Sequence, residues 1–367
     1  MSVLIFLIVL SVLILVHEWG HFITAKSVGV KVEKFALGFG PKLFSFRHDG
    51  TEFMVCAIPL GGFVKMCGDE RGECKGAPEE YFSQPVGYRA RIVVMGPVVN
   101  YVLAYICLCL VFIFGYPALA PQVGEILEGY PAQTAGLKKG DTIIRIDAKN
   151  IQSWEDVQKY ISKSTSPQLN IIFLRDGQKM ERTVIPKEQR SENIFGQKEK
   201  VRRIGIQPED KVVTLKYGVV ESLVKSAANL WEITTMTYKA LYRMVTGAVS
   251  IKDMTGPAGP TGLIGLFYII RKAAEVGFTY LLYVVGVISA SLAIFNVLPL
   301  PVLDGGHLVL LGIEKIRGKS LSSKTEETIA RIGISFIICL ALFVFYLDFV
   351  RFGWIDKIMG IWNQIGF

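Results

Sequence analysis

Charge is missing from four long stretches of this sequence, and that absence excludes an ordinary soluble protein. The chain has 367 residues, of which 51% are hydrophobic, and its mean hydropathy is +0.40. The four uncharged or nearly uncharged stretches begin near residues 2, 92, 278 and 332. Each approaches the roughly 20 apolar residues that cross a bilayer as a helix. The sequence therefore predicts a polytopic α-helical membrane protein with about four transmembrane helices.

The N-terminus lacks the positive charge that opens a secretory signal peptide, since the first lysine is Lys26. Basic residues concentrate instead in two loops: residues 26–91 carry ten Lys and Arg, and residues 314–331 carry five. The positive-inside rule places both loops in the cytoplasm, and the N-terminus, the region after the second crossing and the C-terminus outside. This distribution accounts for the net charge of +8 without a nucleic-acid partner.

Closely paired cysteines are also absent. Three of the six cysteines lie in the first basic loop and three lie within apolar stretches, while the predicted extracytoplasmic region has none. We therefore expect no disulfide framework outside the membrane. Because Cys56, Cys67 and Cys74 lack Cys-x-x-Cys spacing, a cysteine zinc site in the loop is disfavoured.

The first apolar stretch contains two histidines on either side of a glutamate. His17 and His21 are four residues apart, so both imidazoles lie on one face of a helix and can reach one ion. Glu18 points slightly round the helix, where it can act on water. Two nitrogen ligands, a carboxylate base and an open position are the arrangement of a zinc peptidase. Ionisable groups inside an apolar segment are costly, which favours this reading over histidines that merely lie at the membrane interface.

A catalytic zinc site requires a third protein ligand. The third apolar stretch contains one acidic residue, Asp304, and one histidine, His307. A carboxylate in a membrane segment is costly, and coordination of a dication removes that cost. We favour Asp304 over His307 because the glycine pair after Asp304 is expected to turn His307 away. Pro299 and Pro301 prevent a regular helix just before it.

The first cytoplasmic loop, residues 27–91, contains alternating aromatic and aliphatic residues. Between about residues 38 and 66 they surround Asp49-Gly50, which predicts a membrane-associated β-hairpin or sheet. The edge of this hairpin could pair with an extended peptide by adding a strand. A small structural sheet on the cytoplasmic face is the alternative.

Residues 118–208 are charged and rich in turns, which predicts a separate α+β domain. The spacing of Pro131, Ala135-Gly136-Leu137 and Gly140-Asp141 resembles the signature of one PDZ domain of the permuted bacterial protease kind. It departs from that signature at Ala148, where glycine is usual. Such a domain binds an extended peptide at a sheet edge, or it acts here as a steric gate.

The remaining boundaries follow from composition. The region of residues 209–277 contains amphipathic helices, the first at about 218–245, and a Gly/Pro hinge at Gly256-Pro257. The predicted crossings and the segments that join them are transmembrane helices at 1–26, 92–117, 278–313 and 332–352, a cytoplasmic loop at 314–331 and an extracytoplasmic tail at 353–367.

Taken together, these motifs resemble the site-2 proteases, which are zinc intramembrane metalloproteases, and closely the bacterial regulator-of-sigma-E protease subgroup. The resemblance spans nearly the whole chain, in order. The motifs that carry it are His17-Glu18-Trp19-Gly20-His21, Gly38-Phe39-Gly40-Pro41, Gly96-Pro97 with Asn100, the PDZ signature, Gly256-Pro257 and residues 296–306.

The resemblance implies a role for each site residue. His17, His21 and Asp304 would bind one Zn²⁺, and Glu18 would be the general base. Asn296 would hold the substrate backbone or the oxyanion, and the cleft would be shaped by Pro299 and Pro301. The chain departs from well-studied members in having one recognisable PDZ copy rather than two in tandem.

The implied function is zinc-dependent hydrolysis of peptide bonds within transmembrane segments of single-span proteins, in the bacterial cytoplasmic (inner) membrane. Anti-sigma factor-like regulators or remnant signal peptides would be substrates, and the lipid bilayer and a peptide ligand of the PDZ domain would be partners. The alternative is a membrane-anchored PDZ binding protein with a non-catalytic metal site. Structural zinc sites usually have four protein ligands, and only three are evident here. A zinc transporter is disfavoured because no repeated acidic path crosses the membrane.

Overall fold

The computed structural model describes residues 2–192, 198–247 and 261–352. The helices of these residues are α1 (Ser2–Ser27), α2 (Val86–Phe114), α3 (Pro131–Thr134), α4 (Trp154–Lys163), α5 (Val219–Val245), α6 (Leu263–Val276), α7 (Phe278–Asn296), α8 (Asp304–Arg317) and α9 (Ser323–Arg351).

Their strands are β1 (Val32–His48), β2 (Thr51–Met66), β3 (Tyr116–Leu119), β4 (Val123–Ile126), β5 (Thr142–Ile146), β6 (Lys149–Asn150), β7 (Leu169–Arg175), β8 (Gln178–Val184), β9 (Lys187–Glu192), β10 (Lys198–Arg203), β11 (Ile206–Pro208) and β12 (Val212–Leu215).

Four of the described helices, α1, α2, α7 and α9, are long and apolar enough to cross a membrane. They contain 26, 29, 19 and 29 residues. At a rise of about 1.5 Å per residue, even the shortest approaches the roughly 30 Å hydrocarbon core. The prediction of about four membrane-spanning helices agrees with this finding.

The third apolar stretch, predicted as one segment over 278–313, is divided into two helices. Helix α7 ends at Asn296 and α8 begins at Asp304. Pro299 and Pro301 lack backbone donors and cannot continue the ladder of α7. Val302 adopts a left-handed conformation with φ of 80°. This interruption places Asp304 in the first turn of α8, where a negative charge is favoured by the helix dipole.

The predicted loop of residues 314–331 is much shorter than expected. Helix α8 continues to Arg317 and ends at Gly318, which has a φ of 67°. Helix α9 begins at Ser323, and the preceding Ser322 accepts a hydrogen bond from the Thr325 amide at 3.2 Å. The change from apolar to charged residues near position 314 therefore marks the end of the apolar stretch, whereas helix α8 ends later and α9 begins earlier than that change in composition predicts.

The segment between α1 and α2 forms a sheet that is larger than the predicted hairpin of residues 38–66. Strand β1 begins at Val32 and pairs antiparallel with β2. Its first part has partners on both sides, because Phe35 lies opposite both Phe53 and Val64. Its second part pairs with the beginning of β2, as Phe46 does with Phe53. Four short segments thus lie side by side in the order 62–66, 32–37, 51–56 and 42–48.

Glycines allow the two strands of this sheet to bend back. Gly38 and Gly40 both have a φ of 86°, and Gly61 has a φ of 116°. L-residues rarely adopt these conformations, so the bends depend on glycine. The sequence pattern predicted the turn at Asp49-Gly50. It did not predict the bends at the other glycines, because their sequences lack the signature of a hairpin turn.

The region of residues 116–215 has its own core. Strands β6, β5, β7 and β8 form a four-stranded sheet in that order. Helix α4 begins with a capping box between Ser153 and Asp156, and its Trp154 is buried against the sheet together with Phe173. Because β3 pairs with β12, this unit extends beyond the predicted limits of 118–208. Its assignment as a PDZ domain remains a prediction.

Helix α5 packs through a small-residue and aliphatic face. Leu230 lies in a buried cluster with Ala104 and Ala290 of helices α2 and α7. Tyr101 of α2 also forms a hydrogen bond with Thr234 at 2.8 Å. The predicted hinge at Gly256-Pro257 and the tail at 353–367 lie outside the described residues.

Candidate metal centre

The side chains of His17, His21 and Asp304 converge, although Asp304 is far from the histidines in the chain. The Nε2 atoms of His17 and His21 are 3.2 Å apart. Asp304 Oδ2 is 3.1 Å from His17 Nε2, and Asp304 Oδ1 is 3.5 Å from His21 Nε2. Helix α1 supplies both rings from consecutive turns, and the first turn of α8 supplies the carboxylate.

This geometry fits a tetrahedral zinc ion. Zinc bonds of about 2.0–2.2 Å to nitrogen and oxygen at tetrahedral angles separate neighbouring ligand atoms by roughly 3.3 Å. The three separations of 3.1, 3.2 and 3.5 Å lie around that value. Asp304 Oδ2 is buried and accepts no hydrogen bond from any described residue. An orphaned carboxylate oxygen beside two imidazole nitrogens is the chemistry that a dication satisfies.

The orientation of His21 is set by the backbone of α2. Its Nδ1 lies 2.8 Å from the Ile92 carbonyl oxygen. Since a carbonyl only accepts, Nδ1 carries the proton and Nε2 presents its lone pair towards His17 and Asp304. This backbone acceptor could not be identified from the sequence, because every residue has a carbonyl.

Two glycines bring α1 and α2 close enough for this contact. A Cβ at Gly20 would lie 2.5 Å from the Met95 carbonyl oxygen, and a Cβ at Gly96 would lie 2.4 Å from His21 Nε2. Real Cβ atoms do not approach other atoms so closely, so glycine is required at both positions. The sequence motifs contained both glycines, but their reason becomes evident only from the packing of the two helices.

The sheet positions Glu18. The backbone N–H of Val64 faces the Glu18 carboxylate, which also lies within electrostatic range of His17, His21 and Asp304. Gly62 lies directly beside it, since a Cβ there would be 3.3 Å from Glu18 Cγ. A carboxylate held next to the three candidate ligands, and not among them, can receive a proton from water at that place.

The remaining predicted site residues lie outside the convergent group of His17, His21 and Asp304. Asn296, at the end of α7, has its Nδ2 atom 3.5 Å from His17 Nε2. Pro299 and Pro301, which precede Asp304 in the chain, line a cavity. His307 also lines this cavity and is not part of the convergent group formed by His17, His21 and Asp304. The structure thus places Asp304, and not His307, next to the imidazoles of His17 and His21.

Comparison with known proteins identifies metalloproteases as the proteins similar to this chain. The sequence profile of peptidase family M50 matches residues 5–340. Among similar proteins named "Putative zinc metalloprotease", Cj1068 of Campylobacter jejuni is 33% identical over 348 residues, 94% of this chain and 92% of its own. Atu1380 of Agrobacterium fabrum is 31% identical over 360 residues, 94% of each chain. Metalloprotease MmpA of Caulobacter vibrioides is 30% identical over 387 residues, 97% of each chain.

A solved structure also resembles part of the chain. It is the PDZ domain of the SdrC-like protein Lmo2051 from Listeria monocytogenes, with 21% sequence identity and a TM-score of 0.20. The match covers 24% of this chain and 86% of that domain. At this TM-score the likeness carries no structural argument.

Proposed function

This chain belongs to peptidase family M50, the site-2 protease family, and is a zinc metalloendopeptidase; we propose that it cleaves single-span proteins within their transmembrane segments. The observation that carries this proposal is the convergence of His17 and His21, on the membrane-spanning helix α1, with Asp304, at the start of α8. Its substrates are membrane proteins such as anti-sigma factor-like regulators or remnant signal peptides.

The proposed site binds one zinc ion through His17, His21 and Asp304. When bound, zinc supplies Lewis-acid polarisation of the scissile carbonyl and activates the attacking water. Glu18 accepts the proton of that water and transfers it to the leaving amine. Asn296 holds the substrate backbone or the developing oxyanion through its side-chain amide, which lies on the His17 side of the centre.

A helical substrate must unwind before its backbone can reach this site, because its carbonyls are engaged in the helix. We assign the receiving surface to the edge of the sheet formed by residues 62–66. Val64 of this edge directs its N–H to Glu18. An extended peptide that pairs with this edge therefore recovers backbone hydrogen bonds beside the base.

The proposed location is the bacterial inner membrane, with the two basic loops in the cytoplasm. The domain of residues 118–208, as one PDZ domain, either binds an extended peptide or limits access to the site. The cleft beside Asp304 is shaped by Pro299 and Pro301, which line the adjacent cavity.

The substitution Glu18→Gln tests the proposal because it keeps the shape of the side chain and removes its basicity. In the full-length protein we expect one zinc per chain by elemental analysis, and a loss of cleavage of a single-span test substrate by about 10²–10⁴-fold. Glu33→Gln, an exposed change in the same sheet, is the matched control and should retain activity.

Unchanged cleavage by the Glu18→Gln protein would remove the proposed base. A wild-type protein that binds zinc but cleaves no transmembrane segment would favour the alternative, a membrane-anchored binding protein with a structural metal.

A further inference from the structure

A cavity of about 620 Å³ lies beside the segment that leads into Asp304. This volume is within the range of about 300–1,000 Å³ that ligand sites usually have. Burial raises the pKa of Tyr81 in its wall to about 12, so this phenol is uncharged. The apolar part of the wall includes Tyr81, Phe82, Pro301, Val302, Leu310 and Ile334.

Both arginines of the cavity are already committed to partners. Arg71 forms two hydrogen bonds to Glu326, at 2.7 and 2.8 Å. Arg89 forms two to Glu314, at 2.6 and 3.1 Å. Bidentate pairs of this kind are strong and directional. The cavity therefore offers no free positive charge to an acidic ligand at these two positions.

Carboxylates are in excess around the rim. The single ammonium group of Lys65 forms ion pairs with three carboxylates, at 2.7 Å from Asp69, 3.1 Å from Glu70 and 3.0 Å from Glu73. Glu327, which also lines the cavity, pairs with Arg331 within α9. Among the residues that line the cavity, five carboxylates face two arginines, which leaves a net charge of −3 with His307 neutral; the carboxylates are Asp69, Glu70, Glu314, Glu326 and Glu327.

We propose that this cavity binds the basic flank of the substrate, the Lys and Arg residues that follow its transmembrane segment on the cytoplasmic side. The proposal rests on the proposed function and names a recognition site for it. Its occupant is a cationic stretch of polypeptide.

Two observations support this occupant. The cavity lies between the segments that the positive-inside rule assigns to the cytoplasm, and the same rule gives single-span substrates their basic residues on that side. Its lining also includes Pro299 and Gly306, which lie close to Asp304 in the chain. A substrate whose backbone reaches the metal centre can thus extend its flank into the cavity.

Glu70 and Glu327 are suited to testing the proposal because they line the cavity, are exposed, and take no part in the bidentate pairs. The full-length protein would be assayed in detergent with one single-span substrate carrying three Lys, three Gln or three Glu on its cytoplasmic flank. For the wild type we expect kcat/KM to fall from Lys to Gln to Glu, by about threefold for each opposed pair of charges. This preference should weaken at high salt.

In the doubly substituted protein Glu70→Lys with Glu327→Lys, the order should reverse in favour of the acidic flank, with zinc content unchanged. Glu275→Lys is the control, because Glu275 has the same i,i+4 pairing with an arginine and similar exposure but lies on α6. It should keep the wild-type order.

Equal kcat/KM for all three flanks in the wild type would overturn the proposal, as would the same order in the wild type and the doubly substituted protein. If the Gln-flanked substrate is cleaved in either case, the proposed proteolysis stands and only the flank site fails. If the wild type cleaves none of the three, the proposed function fails as well.

Discussion

Gly96 and His21 are in such close contact that no larger residue fits between their helices. A Cβ at position 96 would lie 2.4 Å from His21 Nε2, the atom that faces Asp304. The Ile92 carbonyl holds the opposite nitrogen of the same ring. One turn of α2 therefore both orients this imidazole and limits the space available to it.

The substitution Gly96→Ala should impair zinc binding. The added methyl group would displace the His21 ring or separate α1 from α2, and we expect zinc affinity to fall by at least about 10–100-fold, the effect of disturbing the surroundings of a metal ligand. Zinc affinity would be measured by competition with a chelator. Gly87→Ala, an exposed glycine of the same helix with no atom near its Cβ position, is the control. Wild-type affinity in the Gly96→Ala protein would contradict this packing argument.

Asp304→Ala should abolish stoichiometric zinc binding, whereas His307→Ala should preserve it. Asp304 provides oxygen atoms 3.1 and 3.5 Å from the two imidazole nitrogens, and His307 faces the adjacent cavity. Elemental analysis of both purified proteins distinguishes the two ligands. Zinc loss on changing His307, with retention on changing Asp304, would reverse the assignment.

Asp348→Ala should destabilise the fold without touching the metal centre. The Asp348 side chain is fully buried and accepts hydrogen bonds from the amides of Gly262 and Gly265, at 3.2 and 3.0 Å. Its removal leaves two donors of the first turn of α6 unpaired, at a cost of roughly 2–5 kcal/mol. Thermal unfolding in detergent should show a lower Tm than for Glu275→Ala, an exposed change in α6. Equal Tm values would mean that water replaces the carboxylate.

Acid should open the loop that Glu80 organises. Hydrogen bonds from the Cys74 thiol and from the amides of Lys75, Gly76 and Ala77 lower the pKa of Glu80 from its ordinary value of 4.5. A lowered pKa in the folded state contributes stability above the ordinary value, and that contribution is lost as the pH falls through the folded value.

Hydrogen exchange measures this effect directly. Relative to intrinsic rates, protection of the Lys75, Gly76 and Ala77 amides should decrease as the pH falls below the ordinary value of 4.5 and through the lowered pKa of Glu80. The Val30 amide, which donates to the backbone carbonyl of Ala25, is the control and should keep its protection. Parallel loss at Val30 would indicate general unfolding and not titration of Glu80.

The part of the site that could be predicted from sequence is the part that depends on covalent spacing or on rarity. His17 and His21 share a helix face because they are four residues apart, and Asp304 stood out as the acidic residue of an apolar stretch. The apolar stretches predicted about four membrane-spanning helices, and the described residues contain four helices long and apolar enough to cross a membrane. The motifs predicted the family, which the profile match confirms.

The features that could not be predicted involve backbone groups and long-range pairs. The Ile92 carbonyl and the Val64 amide carry no signature in the sequence, since every such residue has both groups. The pairing of Arg71 with Glu326 joins residues 255 positions apart. Several charged residues lie near each of these positions in the sequence, so the sequence alone does not show which two form an ion pair in the folded chain.

Helices α1 and α2 are in close contact where Gly20 meets the Met95 backbone and where Gly96 meets the His21 ring, so neither helix can move closer to the other. A slide of α2 by one residue, about 1.5 Å, would move the Ile92 carbonyl out of reach of its imidazole and bring a bulkier neighbour against the ring. The geometry of the candidate metal centre therefore depends on the relative position of α1 and α2. A bilayer thickness that tilts one of these helices against the other is therefore expected to weaken zinc binding at the proposed site.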